Sequence, residues 1–112
     1  MSARAVRNLS TLKNLKKLSS KSRKKYLSRC SSDLVNCISE VCQNLLQGNI
    51  KVRASHLRKL IRHKKTLRAV ASKRNSLKKR RNIVVQNGGF LGALLGPAIS
   101  AITGLIGGLV NK

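Results

Sequence analysis

Short apolar stripes alternate with basic runs along this chain, and the stripes keep helical spacing. Leu9, Leu12, Leu15 and Leu18 recur every three residues between basic ones, which predicts a short helix from Ala5 to Leu18. Ser19-Ser20-Lys21-Ser22 interrupts it and offers a cap to a second short helix, Arg23 to Arg29. The clearest stripe is Leu34, Ile38, Val41 and Leu45, at i, i+4, i+7 and i+11, widened by Cys37, Cys42 and Leu46. Ser31-Ser32-Asp33 opens that helix, Asp33 favouring the positive end of its dipole, and Gly48-Asn49 closes it.

A further amphipathic helix is predicted from Ser55 to Ser72, with Leu57, Leu60, Ile61, Leu67 and Val70 on one side. The connection Gly48 to Ala54 is short enough for the two to form an antiparallel pair. Asn75-Ser76 caps one more short basic turn, Leu77 to Val85. Gly88-Gly89 then marks a break before Phe90 to Val110, 21 residues without a charge and long enough to span a bilayer. The expected architecture is all-α. Residues 1–32 form a basic N-terminal arm with short helices, 33–81 a basic helical hairpin, 82–89 a Gly-Gly hinge, and 90–110 a glycine-rich hydrophobic helix.

Charge turns this architecture towards a partner. The chain carries 25 Lys and Arg against two acids, a net charge of +23. Solubility alone asks for a net charge of roughly 2–8 in a small domain. An excess this large makes the compact state repel itself and calls for a polyanion. Residues 1–29 hold ten basic residues, 30–50 hold none but contain both acids, 51–81 hold fourteen, and 82–111 hold no charge. The chain therefore reads as a cationic body with an apolar tail. Its N-terminus is basic and polar, without the apolar run of a secretory signal.

Catalytic chemistry is not expected. Asp33 and Glu40 are seven residues apart on one helix, roughly 10 Å along its axis at about 1.5 Å per residue, too far for a carboxylate pair. His56 and His63 stand in the same relation with no acid beside them. Cys30, Cys37 and Cys42 fit no zinc spacing, so no metal or cofactor is expected. The cysteines read as small apolar helix residues in a reducing compartment, the alternative being an intermolecular disulfide formed after release from the cell. Tyr26 and Phe90 are the only aromatics, too few for a row of stacking platforms. What remains is sequence-independent contact with the phosphates of double-stranded DNA. The candidate contacts are Lys21, Arg23, Lys24 and Lys25; Arg58, Arg62, Lys65 and Arg68; and Lys78, Lys79, Arg80 and Arg81. The last run also reads as a nuclear import signal.

In the tail, Gly92, Gly96, Ser100, Gly104 and Gly108 fall on every fourth position, a stripe that lets helix backbones approach closely in lipid. Three fates are open to it: insertion in a membrane, self-association inside a larger assembly, or removal. Five glycines and Pro97 weigh against a conventional anchor, since proline costs roughly 3 kcal/mol inside a helix.

Ser76-Leu77-Lys78-Lys79-Arg80-Arg81 followed by Ile83-Val84-Val85-Gln86-Asn87-Gly88-Gly89-Phe90-Leu91-Gly92-Ala93-Leu94-Leu95-Gly96-Pro97 resembles small basic proteins of Polinton/Maverick elements and adintoviruses. The likeness extends over residues 33–110. In plan, over about residues 78–110, the chain also looks like the adenoviral precursor of core protein X. The resemblance implies a DNA-condensing virion core protein, found in the host nucleus and virion core and trimmed by a viral cysteine protease. That protease family cuts after the second glycine of a Gly-Gly preceded, two positions earlier, by a large aliphatic residue or sometimes Asn or Gln. Leu105-Ile106-Gly107-Gly108 matches well and Gln86-Asn87-Gly88-Gly89 more loosely, making Gly108 and Gly89 the candidate cleavage sites. The rival reading is a membrane-active or tail-anchored basic protein that binds anionic lipids through the body and inserts the 90–110 helix.

Overall fold

Serine hydroxyls start three of the helices. The Oγ atoms of Ser19, Ser31 and Ser76 accept the backbone N–H groups of Ser22 at 3.2 Å, Leu34 at 3.2 Å and Lys79 at 3.1 Å. Each bond satisfies a donor that the first turn cannot pair internally. The computed structural model describes residues 3–110, and side chains over residues 3–104. The helices are α1 (Ala3–Arg7), α2 (Leu9–Lys17), α3 (Ser20–Ser28), α4 (Ser32–Leu46), α5 (Ala54–Ile61), α6 (Lys64–Ala71), α7 (Leu77–Gln86) and α8 (Gly88–Val110). No strand occurs among the described residues, and the fold class is all-α as expected.

The central pair forms between α4 and α6. Gln43 Nε2 donates to the Ala71 carbonyl at 2.8 Å, while Leu45 and Leu46 share a groove with Lys64 and Leu67. The end of α4 thus meets the start of α6, and the two run antiparallel. Gly48, at φ +75°, turns the chain out of α4 in the left-handed region that glycine adopts without a steric penalty. The helix expected as one piece from Ser55 to Ser72 is broken at Arg62-His63. His63 leaves the helical region, its N–H bonding the Leu60 carbonyl at 2.9 Å in a tight turn. The break frees α5 to pack on α8 while α6 stays on α4. A similar kink at Asn8 divides the predicted first helix into α1 and α2.

The tail departs most from expectation. Phe90, Leu91, Leu94, Leu95, Ala98 and Ile102 are buried in the same core as Leu12, Leu15, Leu27, Leu34, Ile38, Leu60 and Val70. α8 packs most extensively on α2, then on α5. The segment read as a separate tail is the central helix of the fold. Fully burying a side chain such as Leu or Phe contributes about 1.5–3 kcal/mol, so α8 is a principal source of cohesion. The break expected over 82–89 is confined to one residue: residues to Gln86 complete α7, and Gly88-Gly89 form the first turn of α8. The change of direction, 100°, falls at Asn87. Among the described residues no single helix is long and apolar enough to cross a membrane; α7 and α8 pass that test only as this bent pair. The radius of gyration, 13.1 Å, equals the roughly 13 Å of a compact chain of this length.

Cys37 and Cys42 sit in this core as free thiols, and Cys30 lies at its edge. Burial pushes the Cys37 thiol up to about 12 and raises Cys42 further; burial also raises Cys30, against the opposing pull of Arg81. Protonated thiols of this kind pack as small apolar side chains.

Because α8 supplies the centre, the body should not fold without it. A chain ending at Gly89 is expected to lose its cooperative thermal transition by circular dichroism. A sharp transition in that fragment, comparable to the full chain's, would show that residues 1–89 form a core of their own.

Candidate nucleic-acid interface

The predicted contact residues divide by what the fold asks of them. Arg80 is tied inward: Nη1 donates to Ser39 Oγ at 2.8 Å and Asn36 Oδ1 at 3.2 Å, and Nε to the Asn75 carbonyl at 3.2 Å, fastening α7 to α4. Arg81 donates from Nη2 to the Cys30 carbonyl at 2.9 Å, fastening α7 to the end of α3. Arg23 donates from Nε to the carbonyls of Leu15 at 2.9 Å and Leu18 at 3.2 Å, closing the C-terminal end of α2. A cation there also meets the negative end of the helix dipole. These three are structural side chains first. The other nine, Lys21, Lys24, Lys25, Arg58, Arg62, Lys65, Arg68, Lys78 and Lys79, are exposed.

Packing gathers the exposed cations into two groups. α3 lies against α7: Arg81 reaches the Cys30 carbonyl past the C-terminal end of α3, while Arg23 near its N-terminal end reaches Gly92 on α8, so the 21–25 run and Lys78-Lys79 sit on neighbouring helices. α5 and α6 carry Arg58, Arg62, Lys65 and Arg68 as a second group. The glycine face of α8 lies between them. Arg23 Nη1 is 3.4 Å from where a side chain on Gly92 would begin, and His63 Cε1 is 3.6 Å from the same point on Gly89. A cavity of about 280 Å³ there is lined by Lys59, Arg62, His63, Gly89, Gly92 and Ala93. Arg23, Lys59 and Arg62 therefore converge on the first turns of α8 from two different helices.

The small-residue stripe accordingly has a use within the chain. Gly89 and Gly96 accept the imidazoles of His63 and His56, the latter with Cε1 at 3.6 Å, and Gly92 accepts the Arg23 guanidinium. His63 also meets Phe90 edge-on, ring centroids 6.1 Å apart. Ser100 and Gly104 are exposed. Gly108 and the Leu105–Gly108 motif lie outside the residues whose surroundings are described. At the other candidate cleavage site, Gly88 and Gly89 are exposed but helical rather than extended.

Lys59 escaped the sequence reading, and His56 and His63, considered there only for catalysis, pack on Gly96 and Gly89. Lys59, Arg62 and His63 stand at i, i+3 and i+4, the spacing of one helix face; grouping Arg58 with Arg62 instead hid it. Comparison with known proteins returns no matching family model, no matching curated protein and no matching solved structure.

The acids are held by side chains of neighbouring helices as well. Asp33 accepts from Asn8 Nδ2 at 2.9 Å, Arg7 Nη2 at 3.0 Å and Arg4 Nε at 3.2 Å, which ties α1 to the start of α4. The Asn8 and Arg7 hydrogen bonds hold its carboxyl below the usual carboxylate value. Glu40 lines a polar notch with Arg4, Asn36, Lys73 and Arg80.

Two predictions follow from this division of labour. Arg80→Ala leaves the buried Ser39 hydroxyl without its donor and should destabilise the fold by about 1–3 kcal/mol in urea. Lys78→Ala with Lys79→Ala should change stability by less than about 0.5 kcal/mol each. Equal costs would mean that Arg80 is not structural. For Asp33, a lowered folded-state pKa means the stabilisation is complete above the unfolded value near 3.9 and is lost as pH falls through the depressed one. Asp33→Asn should lower the melting temperature at pH 6, and the gap to wild type should close as pH falls through the depressed carboxyl value. A gap that persists unchanged in acid would exclude the ionised carboxylate as its origin.

Proposed function

We propose that this protein binds double-stranded DNA through its phosphates without regard to sequence, and condenses it. The observation that supports this best is the convergence of Arg23, Lys59 and Arg62 on Gly89 and Gly92. There the exposed Lys59 and Arg62 approach the half-buried Arg23 guanidinium across a face with little side-chain bulk. The charge is also matched to a duplex. At one phosphate charge per roughly 1.7 Å of axis, the net +23 equals the charge of about 39 Å of DNA, and the longest extent of the molecule is 39 Å. Molecules laid end to end would neutralise the duplex they cover. A place in the core of a virus-like particle, in the host nucleus, rests on the resemblance to Polinton and adintovirus proteins and belongs to the same proposal. Trimming after Gly108 belongs to it as well, whereas a cut after Gly89 would remove the core residues of α8 and Gly92 with them.

One observation favours a second reading. Leu46, Leu57 and Ile61 are exposed around an apolar groove of about 430 Å³ with Lys64 among its lining residues. Apolar side chains beside basic ones suit an anionic lipid surface. On this reading lipid contact comes from α4 and α5, not from insertion of α8.

Salt titration tests the DNA reading. With the full chain, unrelated duplexes should bind alike, and engagement of about eight phosphates should give a log–log salt slope near −7. Lys78→Ala with Lys79→Ala should reduce that slope by about 1.8. Strong preference for one duplex, or binding indifferent to salt, would overturn the proposal. Phosphatidylserine vesicles that outcompete duplex DNA at equal charge would favour the lipid reading.

A further inference from the structure

Tyr26 stands apart from the rest of the apolar inventory. It is 47% exposed on α3, whereas Leu27 beside it is buried at 2%. Ser22, Lys25, Tyr26 and Arg29 fall at i, i+3, i+4 and i+7, so the ring belongs to one outward face of α3 and has a cation on either side. This face is concave. A cavity of about 480 Å³ lies over it, with Leu18, Cys30 and Ser31 completing the lining. Leu18, itself 36% exposed, adds apolar surface at the cavity. The volume lies within the roughly 300–1,000 Å³ of small-ligand pockets. A planar aromatic ring, an aliphatic neighbour and two exposed cations are the groups a nucleotide unit asks for: a stacking face for the base and positive charge for the phosphates beside it.

We propose that this cavity holds one unpaired nucleobase stacked on Tyr26, with the adjoining phosphates of its strand on Lys25 and Arg29. The inference rests on the phosphate-binding reading above and adds a base contact to it. A base within an intact duplex keeps both faces stacked and cannot enter the cavity. The site therefore takes a base at a strand end, a gap or a single-stranded stretch. Ser31 Oγ accepts the Leu34 N–H and Ser22 Oγ accepts from Ser19, so each offers a base edge only a rotatable O–H, which any base can meet; edge recognition is weak. Sequence independence is preserved.

The chain has one tyrosine and no tryptophan, so its intrinsic fluorescence reports on Tyr26. The full chain is titrated with a single-stranded thymidine dodecamer, with a dodecamer of the same sugar–phosphate backbone lacking bases, and with thymidine monophosphate. The thymidine strand should quench the fluorescence and bind at least about fivefold more tightly than the baseless strand. Both variants lose the tyrosine signal, so their affinities are read from the anisotropy of end-labelled strands: Tyr26→Ala should bring the two strands together, while Tyr26→Phe keeps the difference. Circular dichroism of both variants identifies any loss of fold, and Tyr26→Phe carries the test if Tyr26→Ala unfolds. Equal affinity for the two strands, with no quenching, overturns the stacking site and leaves phosphate binding intact. No binding to either strand overturns both. Quenching by thymidine monophosphate as tight as by the dodecamer assigns the cavity to free nucleotides and also overturns the proposal.

Discussion

A chain with 25 cations and two acids must hold together with little help from internal ion pairing, and the structure meets that constraint with a neutral helix at its centre. Two unit charges about 10 Å apart repel by roughly 0.4 kcal/mol in water, before salt reduces the figure further. Individually that is small, but it acts among many pairs. α8 opposes it without adding a charge. Phe90, Leu94, Leu95 and Ile102 turn inward against Leu12, Leu15 and Leu60, and the basic helices are arranged around it with their apolar faces inward and their lysines outward. The glycines on the other side of α8 let α5 and α3 lie close, which is how His56, His63 and Arg23 come to rest on the helix backbone.

The same constraint explains which basic residues do which work. The inward contacts described above are made by guanidinium groups: Arg4 and Arg7 on Asp33, Arg23 on the end of α2, Arg80 on Ser39 and Asn36, Arg81 on Cys30. A planar fork with several donors can satisfy two acceptors at once while keeping its charge, and it is less strongly hydrated than an ammonium. The lysines stay at the surface, where their charge remains available to phosphate. Arginine and lysine are therefore not alternatives in this chain. Arginine fastens helices together, and lysine supplies most of the exposed positive charge, joined there by arginines such as Arg58, Arg62 and Arg68.

The helices themselves were legible from residues alone. The spacing of Leu34, Ile38, Val41 and Leu45 and the serines before α3, α4 and α7 set the positions of those elements to within a few residues. The partner of the last helix was not. An uncharged run of 21 residues reports that a segment leaves water, and hydropathy is silent on whether lipid or protein receives it. The amphipathic faces of α2 and α5 were unclaimed surfaces of matching character, but pairing them with α8 needs the long-range topology. The break at Arg62-His63 was likewise hidden, because Leu57, Leu60, Ile61, Leu67 and Val70 keep helical spacing straight across it. Of the site, the exposed lysines were read correctly as surface. The inward turn of Arg80 and Arg81 depends on acceptors as far as 51 residues away in sequence, which no local pattern carries, whereas Arg23 folds back on the Leu15 and Leu18 carbonyls across the turn between α2 and α3.

Fold and binding are thus linked through one set of charges. The cations on α3, α5, α6 and α7 are the groups whose mutual repulsion the apolar core must overcome, and they are also the groups that a duplex would neutralise. A ligand that binds only the folded state stabilises it by mass action. A polyanion does so twice, because it also removes repulsion that the free protein carries. Exposed apolar side chains such as Leu57 and Ile61 cost little in the free state while like charge keeps copies apart. On the proposed DNA reading, phosphate that screened that charge would make the same apolar surface available for contact between neighbours on the strand. Condensation by a protein of this size would then need no separate assembly domain, because neutralisation itself would remove the barrier to association.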